Sequence, residues 1–90
     1  MRQVNVSLMQ KEEIIKKINS LLVTEIEIDE EQISPDADLK KDLGIDSLDF
    51  VDLFVIIENH FGFKMKAEEM SGVKTLQDFY DYIFIRVNPN

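Results

Sequence analysis

The chain has 90 residues, a net charge of −8 and no cysteine, and 44% of its residues are hydrophobic. This length predicts a single domain spanning 1–90, and the lack of cysteine excludes a disulfide framework or a thiolate metal site. The acidic balance argues against nucleic acid as a ligand, and no apolar run is long enough to cross a bilayer.

The start of the chain lacks the apolar core of a secretory signal. We therefore expect a cytoplasmic protein without membrane insertion. Nothing in the sequence demands more than a monomer, and residues 1–6 and 87–90 are expected to be frayed.

The first predicted helix begins near Ser7, which with Gln10 fits a capping box. Its buried stripe follows helical spacing and comprises Ile14, Ile15, Ile18, Leu21 and Leu22. The β-branched run at 23–28 is not predicted to be a strand, because no second strand exists to pair with it. The long connection over 29–44 should bury Ile33 and Leu39, with a short helical turn at 39–42.

A second helix is predicted from Ser47 to Phe61, with Gly62 as its C-cap. Asp46 is a good N-cap, and Asp49 stands at the third helical position, where the helix dipole favours a negative charge. Gly44 allows the incoming loop a backbone angle that a side chain disfavours. Ser47 is then exposed at the helix start, where a phosphate ester would meet free N–H groups.

This helix is apolar on two sides. The core stripe is predicted to be Phe50, Leu53, Phe54, Ile57 and Phe61. A second apolar group lies nearly opposite, comprises Leu48, Val51 and Val55, and has Asp52 and Glu58 beside it. A domain of this size can hardly bury a helix all round, so the second group is interpreted as a docking surface for a partner.

A short helix is predicted around 67–70, broken by Ser71 and Gly72. Thr75 opens the last helix, with Asp78 at the capping-box position. Its predicted inner face comprises Leu76, Phe79, Tyr82 and Ile83. The fold class is therefore all-α, a small up-and-down bundle of three main helices and one short helix.

The run DLGIDSLD at residues 42–49 resembles the attachment motif of acyl carrier proteins. The similarity extends from about Ile14 to Ile85 and includes ISPDA at 33–37, IENHFG at 57–62 and TLQDF at 75–79. The tripeptide DSL alone is a weak signal, whereas the tripeptide with correctly spaced flanks in a small acidic chain is a strong one.

The resemblance implies that Ser47 carries 4'-phosphopantetheine, with Asp46 and Leu48 flanking the attachment site. A phosphopantetheinyl transferase would add the group from coenzyme A, and its thiol would carry acyl intermediates of fatty-acid, polyketide or related synthesis. The chain is then a carrier and not a catalyst. Partner enzymes of this family present Lys and Arg to the side of the helix formed by Leu48, Val51, Asp52, Val55 and Glu58.

Charge supports this docking interpretation, because residues 25–58 hold twelve acidic side chains against Lys40 and Lys41. In many carriers the space between the helices holds the acyl chain. The resemblance assigns to that pocket and core Leu39, Phe50, Phe54, Ile57 and Phe61. Phe50 and Phe54 are bulkier than the Thr and Val common at these positions, which predicts a restricted cavity and a specialised carrier.

Three other functions compete with the carrier role. A stand-alone peptidyl or aminoacyl carrier uses the same prosthetic group, and an unmodified helical adaptor would keep the fold alone. A hydrolase is rejected because His60, the only histidine, lies roughly 20 Å along the helix from Ser47. No metal is expected, since Lys41 and Ser47 occupy positions where a calcium loop starting at Asp36 needs Gly and Glu.

Overall fold

The computed structural model describes residues 10–88 and contains three α-helices. The helices are α1 (Lys11–Thr24), α2 (Ser47–Phe61) and α3 (Leu76–Val87), with 3₁₀ helices at Glu30–Gln32 and Ala67–Gly72. No strand occurs between residues 10 and 88; the only β-type pairing there is an isolated bridge between Asp38 and Thr75. The predicted all-α bundle is confirmed.

Helix α1 begins about one turn later than predicted. Gln10 is its N-cap, in extended conformation, and the Gln10 N–H donates to Glu13 Oε1 at 3.1 Å. The predicted start at Ser7 falls outside the described residues. The predicted stripe holds except that Ile15 is only half-buried, whereas Ile14, Ile18, Leu21 and Leu22 are buried.

Helices α1 and α3 pack directly against each other. The Lys11 ammonium lies over the Phe84 ring and pairs with Asp81, while the Tyr80 hydroxyl donates to Asn19 Oδ1. Burial raises the pKa of Tyr80 above its usual value of 10.0, partly offset by this hydrogen bond.

The inner face of α3 differs from the prediction at one residue. Leu76, Phe79, Tyr80 and Ile83 are buried, whereas Tyr82 is half-buried and its hydroxyl donates to Glu69 Oε1 at 2.5 Å. Tyr80 is accommodated in the interior because Asn19 satisfies its hydroxyl. Thr75 caps α3 as predicted, its hydroxyl accepting the Asp78 N–H at 3.2 Å.

The connection between α1 and α2 is joined to the start of α3 by backbone hydrogen bonds. The Leu39 N–H donates to the Lys74 carbonyl and the Leu76 N–H to the Ala37 carbonyl, both at 2.9 Å. Leu39 is buried and Ile33 packs against the core, as predicted. Residues 39–42 form a hydrogen-bonded turn in which the Asp42 N–H donates to the Asp38 carbonyl at 2.9 Å, as in one turn of a helix, so the predicted short helical turn is confirmed. The 3₁₀ helix at Glu30–Gln32 was not predicted.

The segments on either side of α3 were also predicted from the sequence. The 3₁₀ helix at 67–72 continues through Ser71 and Gly72, which were predicted to break it. Val87 is the last residue of α3 and packs against the core. The expectation of fraying at 87 and 88 stays a prediction. Residues 1–6, 89 and 90 lie outside the described part.

Candidate functional site

Buried and exposed residues alternate in the segment 43–46, which leads into α2. Leu43 and Ile45 are buried in the core, while Gly44 between them has a φ of +71°. This left-handed backbone angle is easily adopted by glycine and costly for most other residues. The turn brings the chain to α2 with its next residues, Asp46 and Ser47, on the surface.

Asp46 and Asp49 hold the first turn of α2 in a reciprocal cap. An Asp46 carboxylate oxygen accepts the Asp49 N–H at 2.9 Å, and the Asp49 carboxylate accepts the Asp46 N–H at 3.3 Å. The cap satisfies one of the N–H groups that have no partner within the helix. Ser47 is thus the first helical residue and is exposed, as predicted.

Ser47 lies on the edge of an open groove of about 620 Å³, a volume within the usual range for small-molecule sites. Its apolar lining comes from α2, the loop before it and the chain around the second 3₁₀ helix: Leu39, Phe50, Val51, Phe54, Met70 and Val73. Its polar lining comprises Asp38, Lys40, Lys41, Ser47, Ser71 and Lys74. The Ser47 hydroxyl therefore lies next to the apolar surface of the groove.

The two phenylalanines on α2 form part of this groove. Phe50 and Phe54 are half-buried, with ring centroids 6.2 Å apart and ring planes at 47°. Of the core stripe predicted for α2, only Leu53 and Ile57 are fully buried. Phe61 is half-buried at the other end of the helix, where the Lys17 ammonium lies 5.8 Å from the centre of its ring.

An apolar ridge of Leu48, Val51 and Val55 runs along the outer side of α2. Their side chains are 76%, 58% and 51% exposed, which is unusual for large aliphatic residues clustered on one helix. Asp52 is also exposed on this helix. The structure therefore brings together the serine, the groove and an exposed ridge on a single helix.

Glu58 has a different environment from the rest of the predicted docking face. It is half-buried, and its Oε2 accepts the Met65 N–H at 2.8 Å. This hydrogen bond holds the chain after α2 against the helix. Glu58 therefore has a structural contact that sequence reasoning did not anticipate.

Asp38 organises the loop that borders the groove. Its Oδ1 accepts the Lys40 N–H at 2.9 Å and the Lys41 N–H at 2.8 Å. The pKa of Asp38 is lowered from its usual 3.8, chiefly by the hydrogen bond from Lys41, then by that from Lys40 and by the charges of Lys41 and Lys74. The carboxylate is accordingly ionised at neutral pH.

The only histidine, His60, is exposed near the end of α2, far along the helix from Ser47. Within residues 10–88, no group of three or more His, Cys, Asp or Glu side chains is arranged to hold a metal ion. No helix in the same range has the length and hydrophobicity of a membrane-spanning segment.

Sequence reasoning missed the groove residues that lie in and just after the second 3₁₀ helix. Met70, Val73 and Lys74 come more than twenty residues after Ser47 and reach it through the contacts between the 38–45 loop and the start of α3. No local periodicity encodes such a contact. The hydrophobicity of Met70 and Val73 in a short linking segment was the available signal.

Comparison with known proteins identifies the family to which this site belongs. A family model described as "Phosphopantetheine attachment site" matches residues 16–83, which include the whole groove lining. The fold and site therefore define a phosphopantetheine-attachment domain.

Similarity to individual curated proteins defines the family within this class of domain. The acyl carrier protein of Coprothermobacter proteolyticus is 37% identical over 75 residues, covering 83% of this chain and 92% of the relative. That of Thermosynechococcus vestitus is 36% identical over 83% of this chain and 93% of its own length. The acyl carrier protein of Thermotoga maritima is 38% identical over 81% of this chain and 90% of its own length. The chain belongs to the acyl carrier protein family, and its function is that of a carrier.

Proposed function

We propose that Ser47 is the residue that carries 4'-phosphopantetheine. The observation that supports this most strongly is the exposed Ser47 at the first position of α2, directly beside an apolar groove. A phosphodiester on this hydroxyl would lie near the positive end of the helix dipole, which favours an anion. Asp46 fixes the helix start and Leu48 follows on the exposed side.

The chain acts in this proposal as a substrate and not as an enzyme. A phosphopantetheinyl transferase would use coenzyme A as donor, and the terminal thiol of the added group would hold acyl chains as thioesters. The protein's own residues fit the group, because the serine is accessible and the groove beside it offers apolar surface. The cysteine-free sequence is compatible with a reducing cytoplasm, where we place this activity.

The ridge on α2 is proposed as the docking surface for enzymes with basic patches. Leu48, Val51 and Val55 would be buried in the complex, and Asp52 would meet a Lys or Arg of the partner. Charges at the rim of an interface mainly accelerate association and make it sensitive to salt. Glu58 is peripheral in this arrangement, because it is held by Met65.

The groove is proposed to shelter part of the attached chain. Leu39, Phe50 and Phe54 line it, whereas Ile57 is sealed in the core and Phe61 lies outside the lining. The two aromatic rings occupy space beside Ser47, which favours a carrier specialised for a restricted set of acyl groups.

Intact-mass spectrometry tests the attachment. The unmodified protein, incubated with coenzyme A and a broad-specificity phosphopantetheinyl transferase, should gain one phosphopantetheine. Ser47→Ala should gain none, whereas Ser71→Ala, a second exposed serine on the same groove, should react like the parent.

Modification of Ser47→Ala would place the attachment elsewhere. Failure of the parent with several transferases would favour the unmodified adaptor. If the parent is modified, genome neighbours separate the two kinds of carrier: ketosynthases or reductases indicate an acyl carrier, and adenylating enzymes indicate a peptidyl or aminoacyl carrier.

A further inference from the structure

Three lysines border the groove beside Ser47. Lys40, Lys41 and Lys74 all line the groove and are exposed. Lys40 and Lys41 are the only basic residues of the acidic segment 25–58. The positive charge of this segment therefore lies on a concave surface and not on the ridge.

The fold brings these lysines together from distant parts of the chain. The bridge between Asp38 and Thr75 and the hydrogen bond from the Leu39 N–H to the Lys74 carbonyl, at 2.9 Å, place Lys74 against the 38–41 loop. Asp38 is the one carboxylate in the groove lining. Within the lining, the three lysines outnumber this carboxylate, while Asp42 and Asp78 lie just outside it and accept the backbone N–H groups of Asp38 and Lys74.

Apart from Ser47 and Ser71, the rest of the lining is apolar, with Leu39, Phe50, Phe54 and Met70 among its residues. A groove with apolar walls and a positive border is complementary to a chain that has an apolar middle and an anionic end. A methyl-ended chain would gain from the apolar walls alone and would leave the lysines in contact with water.

We propose, on the basis of the proposed function, that the group carried on Ser47 is an acyl chain bearing a carboxylate, whose anionic end binds Lys40, Lys41 and Lys74. The apolar part of the chain then lies against Phe50 and Phe54. The thioester is drawn toward the groove and away from solvent when the carboxylate is bound.

Two acyl chains of equal length test this inference. Octanoyl and suberoyl groups, which differ in a distal carboxylate, are loaded onto the unmodified protein from their coenzyme A thioesters by the transferase. Cleavage of each thioester by hydroxylamine is then followed by intact mass, with the corresponding coenzyme A thioester as the reference for intrinsic reactivity.

Relative to those references, the suberoyl thioester should be cleaved about threefold more slowly than the octanoyl one, a ratio in keeping with exposed ion pairs. The triple variant K40Q/K41Q/K74Q should lose this difference, and so should the parent protein at high salt. The matched variant K16Q/K64Q/K66Q removes the same charge outside the groove lining and should keep it.

Equal protection of the two thioesters in the parent protein would overturn the inference while leaving the carrier role intact, since both groups would have been loaded. An equal effect of K40Q/K41Q/K74Q on both thioesters would also overturn it, because the lysines would then act on the phosphodiester common to both. Absence of loading would instead refute the proposed function.

Discussion

Glu27 has a left-handed backbone, with φ of +65°, in the turn that follows α1. This conformation allows the Ile28 N–H to donate to the Leu22 carbonyl at 2.9 Å, which brings the Ile28 side chain into the core. A residue with a Cβ is strained at such an angle, whereas glycine adopts it readily. The chain therefore accepts local strain to bury an isoleucine.

Glu27→Gly should stabilise the protein by about 0.5 kcal/mol, because relief of the strained angle exceeds the added entropy of the unfolded chain. Glu25→Gly is the matched control, since Glu25 is right-handed, with φ of −101°, and should lose stability. Urea unfolding of both variants measures the effect. A loss of stability in Glu27→Gly equal to that in Glu25→Gly would contradict the prediction.

Ionisation of Asp78 makes the stability of the start of α3 depend on pH. Its carboxylate accepts the Lys74 N–H at 3.1 Å and the Thr75 N–H at 3.2 Å, and these two hydrogen bonds lower its pKa below the usual 3.8. A lowered pKa in the folded state means that this stabilisation is present above the unfolded-state pKa and is lost as pH falls through the folded value.

Asp78→Ala should therefore be less stable than the parent at pH 6, and the difference should shrink as the pH falls from about 4 to about 2. Thermal unfolding across this range measures it. Glu12→Ala, an exposed acid near the start of α1, controls for the general effect of removing a charge. A difference that stays constant down to pH 2 would show that the contribution of Asp78 does not depend on its ionisation.

At the scale of elements, the bounds of α2 follow directly from its local sequence. Asp46 begins the helix because its carboxylate is a good N-cap. Gly62 ends it because glycine readily adopts the left-handed C-cap conformation, here with φ of +79°. The inner face of α3 was harder to predict, because Tyr80 and Tyr82 have the same side chain and only their tertiary contacts differ. The Tyr80 hydroxyl donates to Asn19 and the Tyr82 hydroxyl to Glu69.

The second 3₁₀ helix is anchored to α3 by Arg86. Its guanidinium donates to Glu69 Oε1 at 2.7 Å and to the Lys64 carbonyl at 2.8 Å, and lies 4.8 Å from the centre of the Phe63 ring. Because Met70 belongs to this helix and lines the groove, these contacts hold one side of the groove in place. Such long-range anchoring has no local sequence signal.

Phe54→Ala should enlarge the groove and deepen sequestration of a loaded octanoyl chain, because a half-buried ring is removed from its lining. We expect hydroxylamine cleavage of the thioester to slow about threefold, in proportion to the greater apolar burial. Phe61→Ala is the matched control, since Phe61 is also half-buried on α2 but does not line the groove. Unchanged protection in Phe54→Ala would count against a restricting role.

At the scale of the whole molecule, charge is distributed unevenly along the chain. Residues 1–24 carry a net charge of +2 and residues 25–58 a net charge of −10. This distribution could be predicted from the sequence, and so could the identity of the exposed ridge. The groove could be predicted only in part. Leu39, Phe50 and Phe54 were assigned to a pocket, whereas residues 70–74 join its lining through tertiary contacts.

Asp52→Asn should lower the kcat/KM of phosphopantetheine transfer by about threefold at low salt, because a rim charge steers the basic partner during association. The effect should largely disappear at high salt, where such interactions are screened. Glu12→Gln makes the same charge change on α1 and should have little effect at either salt concentration. An equal effect of the two substitutions would assign the result to net charge and not to the ridge.

Val51 belongs to both functional surfaces of α2, since it stands in the ridge and also lines the groove. In the proposed carrier, a molecule in the groove and a protein on the ridge would therefore contact the same side chain. Cargo that displaces Val51 would change the shape of the ridge that the partner meets. Loaded and empty forms are then expected to differ on their outer surface, even when the cargo itself is hidden.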